Sequence, residues 1–263
     1  MRPRLVATDL DGTLVRSDGT VSPRTTAAIA RVEAAGVPFV MVTGRPPRWM
    51  GGIAEATGHR GLAVCANGAL VYDLHAARIV RPDLLSGEAA LGVVDALRRE
   101  LPGIAFAVER HEADFAHEPS YRPRWDSSDK LTQAPVEQLL AGDVVKLLAR
   151  HEELTADELL ASARGAVGDA ATLTHSSADG LLEISAAGVS KASGLASLAA
   201  DFGVEAADVI AFGDMPNDLP MLAWAGRAVA VANAHPEVLA AADEVTASND
   251  DDGVAQVLDL DFP

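Results

Sequence analysis

Two aspartates two residues apart, Asp9 and Asp11, stand at the end of a short apolar run, Leu5 to Ala7, and Gly12 marks a turn just behind them. In extended backbone, residues two apart point to the same side, so the two carboxylates are expected to face one site. Adjacent carboxylates repel, and burying them without a counter-charge costs roughly several kcal/mol. The pair therefore calls for a cation, although an acidic turn after a strand is also a common surface feature. Partners for it recur along the chain. Thr43 offers a hydroxyl and a backbone N–H to a phosphate oxygen, Gly44 makes the tight turn beside it, and Lys191 at a helix start adds a cation to the helix dipole. Asp214, at a distant strand end, would complete with Asp9 a hard oxygen site suited to Mg2+.

Phosphoryl transfer accounts for this set. It needs an oxygen nucleophile, neutralisation of the phosphoryl oxygens and a proton for the departing alcohol. Asp9 would attack phosphorus. Asp11 would act as general acid toward the leaving oxygen, then as base on the water that cleaves the aspartyl-phosphate.

The elements that must position these groups read as strand and helix in alternation. Ser22-Pro23 opens a helix that Gly36 stops; Val37 to Val42 is a second apolar strand ending at Thr43-Gly44-Arg45. A further helix ends by Gly58, and a third strand, Leu62 to Ala66, breaks at Asn67-Gly68. Buried strands alternating with helices predict an α/β fold with a Rossmann-like parallel sheet, helices on both faces and ligands at the carboxyl ends of the strands. From about Ser86 the pattern changes to an α+β block of domain size. The parallel pattern returns at Val189-Ser190-Lys191, and the strand Val209 to Phe212 runs into Gly213-Asp214-Met215-Pro216-Asn217-Asp218. The expected organisation is a discontinuous core, residues 1–85 and 186–263, with residues 86–185 inserted.

Composition narrows the class. The 263 residues carry a formal charge of −17, which argues against a general nucleic-acid or anionic-membrane binder. No apolar run approaches the roughly 18 residues of a membrane span. The one cysteine, Cys65, lies among Leu62, Ala63, Val64 and Ala66 and reads as a core thiol; with no leader-like start, a cytoplasmic protein is expected.

The motifs resemble those of the haloacid dehalogenase superfamily, specifically its Cof-type phosphatases of subfamily IIB. The first is Asp-Leu-Asp-Gly-Thr-Leu at Asp9 to Leu14, the second Thr43 in Val-Thr-Gly-Arg, the third Lys191 in Gly-Val-Ser-Lys, and the fourth Gly213 to Asp218. Asn67-Gly68-Ala69, Ala232-Asn233-Ala234 and Asn249 to Gly253 are also family-like. The resemblance covers nearly the whole core and is weakest in the inserted block. It implies a large C2B-type cap at 86–185 and an Mg2+ held by the Asp9 carboxylate, the Asp11 backbone carbonyl and Asp214. Asn217 and Asp218 would orient that metal shell and the Lys191 ammonium. The implied activity is phosphatase action on a small phosphorylated metabolite, such as a sugar phosphate. The alternatives are a phosphomutase of phosphosugars and a non-catalytic phospho-ligand sensor.

Other residues carry weaker signals. Arg45 and Asn67 are candidate substrate contacts at the ligand edge; so are Arg122, Arg124 and Trp125, two cations and an aromatic near Tyr121 in an otherwise acidic chain. His111, Asp114, His117 and Glu118 fit no standard zinc spacing and read as polar surface. Asp250 to Asp252 read as an acidic loop at a helix N-terminus that needs no ion. Oligomeric state leaves no mark in the sequence.

Overall fold

The computed structural model describes residues 2–110, 114–124, 131–176 and 180–263, and it divides into two compact units. The first comprises Met1–Arg81 and Ser190–Pro263, the second Pro82–Val189. The second unit begins before residue 86 because Leu85 bonds into it, exchanging backbone hydrogen bonds with Val144 at 2.8 and 2.9 Å.

In chain order, the first unit opens with β1 (Leu5–Thr8), α1 (Pro23–Ala34), β2 (Phe39–Val42), α2 (Met50–Thr57), β3 (Leu62–Cys65), β4 (Leu70–Asp73) and β5 (Arg78–Pro82). The second unit follows with α3 (Gly87–Glu100), β6 (Ala105–Glu109), β7 (Phe115–His117), β8 (Thr132–Gln133), α4 (Val136–Leu139), β9 (Lys146–Arg150), α5 (Ala156–Val167), β10 (Ala171–Thr174) and β11 (Leu181–Ala186). The chain then returns to the first unit through α6 (Lys191–Asp201), β12 (Val209–Gly213), α7 (Leu219–Trp224), β13 (Arg227–Val231), α8 (Pro236–Ala241), β14 (Glu244–Thr246) and α9 (Gly253–Asp261).

Among the described residues the first unit holds an eight-stranded sheet, ordered β14-β13-β12-β1-β2-β3-β4-β5. From β14 to β3 every pairing is parallel, and β4 turns back antiparallel on β3. β1, β2 and β12 are buried along their whole length, as expected of central parallel strands covered on both faces. α1 packs on α2 and α9, and α6 on α7, so helices cover both faces. Local chemistry starts these helices where the site needs them. Ser22 caps α1 by accepting the Thr25 N–H at 3.0 Å, with Pro23 at the first helical position. Ser190 and Ser193 form a reciprocal cap that places Lys191 at the first residue of α6.

In the second unit the sheet order is β10-β11-β9-β6-β7-β8. Its strands show the period of two. Phe106, Val108, Leu147, Ala149, Leu182 and Ile184 join Leu97 of α3 and Leu159 of α5 in one apolar core. The alternate residues Ala105, Ala107 and Leu148 pack with Phe115 and Tyr121, beside a buried ion pair from Lys146 to Glu183 at 2.7 Å.

Candidate active site

β1 ends at Thr8, and the Asp9 N–H still bonds to the Phe212 carbonyl of β12 at 3.0 Å. Asp9 is therefore held at the centre of the sheet and is buried. The Lys191 ammonium donates to Asp9 Oδ1 and to Asp218 Oδ1, each at 2.6 Å, with all three side chains buried. Asp218 is fully committed by further bonds. Its Oδ2 accepts the backbone N–H groups of Asp214 and Met215, both at 3.0 Å, which folds the loop after β12 around it. Asp214 takes the Thr13 hydroxyl on Oδ1 at 2.8 Å.

Asp9, Asp214 and Asp218 each bring a carboxylate oxygen within 4.8 Å of the others, and no other acidic, His or Cys cluster of this kind occurs among the described residues. Burial pushes the Asp9 carboxyl well above its ordinary range; Lys191 pulls it back in part, while Asp218 and Asp214 push it up. Burial also raises Asp214, with Asp218 adding to it, to about 6. For Lys191, burial alone would lower the ammonium, and the carboxylates of Asp218 and Asp9 outweigh it, raising it above its ordinary value. Three buried carboxylates against one ammonium leave a local negative excess, and that is the electrostatic environment that takes a divalent cation. Since Asp218 is spent on Lys191 and two N–H groups, Asp9 and Asp214 are the carboxylates left for it.

Gly12 lets the loop close on this cluster. Its φ is +81°, and a Cβ there would lie 2.3 Å from Asp214 Oδ2. The loop is tied from a distance as well. Asn233 donates to the Gly12 carbonyl at 2.8 Å, Asn249 donates from its side chain to the Val15 carbonyl at 2.9 Å, and the Asn249 N–H bonds Asn233 Oδ1. Asp250 accepts from Ser17 and Asp252 from Arg16, so the acidic loop grips residues 16 and 17. Asn233 and Asn249 carry this load, and their family-like surroundings were the only mark of it in the sequence.

Asp11 departs from expectation. The chain turns at Leu10, so alternation along a strand does not extend to it, and its carboxylate does not join Asp9 in the cluster. It is 60% exposed and lies on Arg45, whose Nε and Nη2 bond its two oxygens at 2.7 and 2.5 Å. Arg45 thus sits on Asp11, where the sequence suggested a direct substrate contact.

Thr43 is buried, but its N–H is spent on the Val64 carbonyl at 2.8 Å because the β2–β3 ladder runs through it. The expectation that this N–H binds phosphate is therefore corrected. The Thr43 hydroxyl oxygen accepts the Arg45 N–H at 3.1 Å and keeps its own proton to donate. Residues 66–68 form a left-handed turn, with φ of 51° at Ala66, 57° at Asn67 and 104° at Gly68. It points the Ala66 N–H at the Arg45 carbonyl and the Asn67 N–H at the Thr43 carbonyl, both at 3.0 Å. A Cβ on Gly68 would stand 1.9 Å from the Ser190 carbonyl, so the turn seats directly on the start of α6. Asn217 donates to Asn67 Oδ1 at 3.1 Å, leaving Asn67 Nδ2 and Asn217 Oδ1 buried without a partner.

The remaining candidates belong to the second unit. Arg122 is exposed, and Arg124 makes an exposed ion pair with Glu152 at 3.6 Å. Trp125 and His111 lie outside the described residues. His117 and Glu118 are engaged locally, with the Phe106 N–H and Arg98 on Glu118, and form no metal cluster.

A buried carboxylate at the carboxyl end of a central parallel strand, paired with lysine and flanked by a second acid, stands where open α/β sheets gather their ligands. A family profile described as haloacid dehalogenase-like hydrolase matches residues 6–258, and the chain belongs to that family. It is 31% identical to the YxeH protein of Bacillus subtilis over 97% of each chain. It is 28% identical to the pyridoxal phosphate phosphatase YbhA of Escherichia coli over 98% of each. The fold matches the solved structure of a subclass IIB sugar phosphatase of the superfamily with a TM-score of 0.82, covering 98% of both chains at 20% identity.

Proposed function

We propose that this chain is a Mg2+-dependent phosphatase that hydrolyses small phosphomonoesters, sugar phosphates or similar metabolites, through an aspartyl-phosphate on Asp9. The observation that carries this reading is the Lys191 ammonium clamped between Asp9 and Asp218. It holds the Asp9 carboxylate in one orientation against its burial, and an ammonium has a third N–H to give a phosphoryl oxygen. Asp9 and Asp214, with the Asp11 backbone carbonyl, would hold the Mg2+, which would supply charge neutralisation at the phosphoryl oxygens.

Asp9 Oδ attacks phosphorus and the P–O bond to the alcohol breaks as Asp11 delivers a proton to that oxygen. Asp11 then takes a proton from water, which opens the acyl phosphate and returns Asp9 and inorganic phosphate. The Thr43 hydroxyl donates to a phosphoryl oxygen beside Gly44, and Asn217 and Asp218 keep the loop and lysine in place. Asn67, with its buried Nδ2, stands as a candidate donor to bound substrate. The phosphatase names of the relatives favour a phosphomonoester, and the −17 charge disfavours nucleic acid or an anionic membrane as partner. No helix among the described residues is long and apolar enough to cross a membrane, and a cytoplasmic location suits the single buried Cys65.

The test is release of phosphate from p-nitrophenyl phosphate with Mg2+, followed by a panel of phosphorylated metabolites. Steady turnover by the wild type and its loss in Asp9→Ala are expected. Turnover retained by Asp9→Ala would sink the mechanism.

A further inference from the structure

We propose that Arg45 is the positioning residue of Asp11: its guanidinium fork sets the direction in which Asp11 presents its carboxyl group to the leaving oxygen and to the water that follows it. The inference rests on the reading of Asp11 as the acid and base. As a stabilising contact this ion pair is worth little, because Asp11 is 60% exposed and solvent screens exposed pairs. Its geometry, however, is that of an orienting device. Nε and Nη2 meet the two carboxylate oxygens at 2.7 and 2.5 Å, a two-point contact that fixes both the rotamer and the plane of the carboxylate. A side chain that exposed otherwise samples several staggered wells, and only one of them aims at a given leaving oxygen.

The base of the fork is itself held. The Arg45 N–H bonds the Thr43 hydroxyl oxygen at 3.1 Å, and its carbonyl accepts the Ala66 N–H at 3.0 Å. Buried Ala66 makes that bond with φ of 51°, a conformation unfavourable for a residue with a side chain. Strain is thus spent on fixing the backbone of a residue whose side chain ends on Asp11. The same turn holds the Thr43 carbonyl through the Asn67 N–H, so one turn fixes the backbone of both the threonine and the orienter of the acid.

A residue that acts through the acid has a signature that a phosphate contact lacks. Losing the acid matters most when the leaving group is a poor one. The experiment measures kcat/KM, which reports phosphoryl transfer to Asp9, for substituted phenyl phosphates running from p-nitrophenyl to p-methylphenyl. For Arg45→Ala the expected loss is about 10- to 100-fold on the p-methylphenyl ester and within about threefold on the p-nitrophenyl ester. Arg45→Lys, a point charge with no fork, should fall between. The ratio of two esters on one preparation does not depend on how much of a variant is folded. Equal losses on all esters, or none, overturn the proposal. Asp11→Asn separates the two claims. If its dependence on the leaving group is steep while that of Arg45→Ala parallels the wild type, only the role of Arg45 fails. If Asp11→Asn itself parallels the wild type, the acid role of Asp11 fails and takes the Arg45 proposal with it.

Discussion

Replacing Lys191 by methionine, which is of similar length and apolar, isolates the charge at the centre of the site. The ammonium lies 2.6 Å from both Asp9 and Asp218, and the exposures of the three side chains are 1%, 7% and 0%. Removing one member of a buried pair leaves an uncompensated charge and typically costs about 3–5 kcal/mol. The loss should depend on pH in a defined direction. Burial and the neighbouring carboxylates raise Asp9, and raise Asp214 to about 6 from an ordinary 3.8, while Lys191 lowers both. Without Lys191 both rise further. A carboxyl raised on folding contributes stability that is fully present below its unfolded value and disappears as pH rises through its folded value. The deficit of Lys191→Met is therefore greatest at about pH 8 and shrinks as the pH falls toward about 4, where the raised carboxyls of Asp9 and Asp214 have taken up their protons. Urea unfolding of wild type and variant in EDTA, at both ends of this range, measures it. A deficit under about 1 kcal/mol at the alkaline end, or one that does not change with pH, would refute the reasoning.

Two other perturbations probe the loop that follows the nucleophile. Gly12→Ala puts a Cβ 2.3 Å from Asp214 Oδ2 in a backbone with φ of +81°, so kcat/KM should drop at least about tenfold as Asp214 is displaced, read with p-nitrophenyl phosphate. Asn249→Ala strands the Val15 carbonyl and removes the tie over 234 positions of sequence, costing about 1–3 kcal/mol in urea unfolding, and Asn249→Asp should not restore it because a carboxylate has no proton to give that oxygen.

The alternation of apolar strand and helix was legible because parallel strands covered on both faces must be continuously apolar. Leu5 to Thr8, Phe39 to Val42 and Val209 to Gly213 are buried throughout. β5, with its alternation of exposed and half-buried residues at the sheet edge, has no such run and gave no signal. In the second unit β7 and β8 are short, and the polar stretch around them hid them.

Asp9, Asp214 and Lys191 could be picked out from the sequence for a simple reason. Each closes an apolar strand or opens a helix, and a charge in that position is rarely there for the core. Partnership was decided only by the fold. Asp11 looked like the twin of Asp9 until the turn at Leu10 sent it to Arg45, 34 residues away. Thr43 lost its N–H to the ladder with Val64. The left-handed turn at Ala66-Asn67 and the bonds of Asn233 and Asn249 to the Asp9 loop join segments that local propensity treats separately. Residue type and periodicity set which chemistry the chain can hold; hydrogen bonds between distant segments, each satisfied only once the sheet is assembled, set which groups do which part of it.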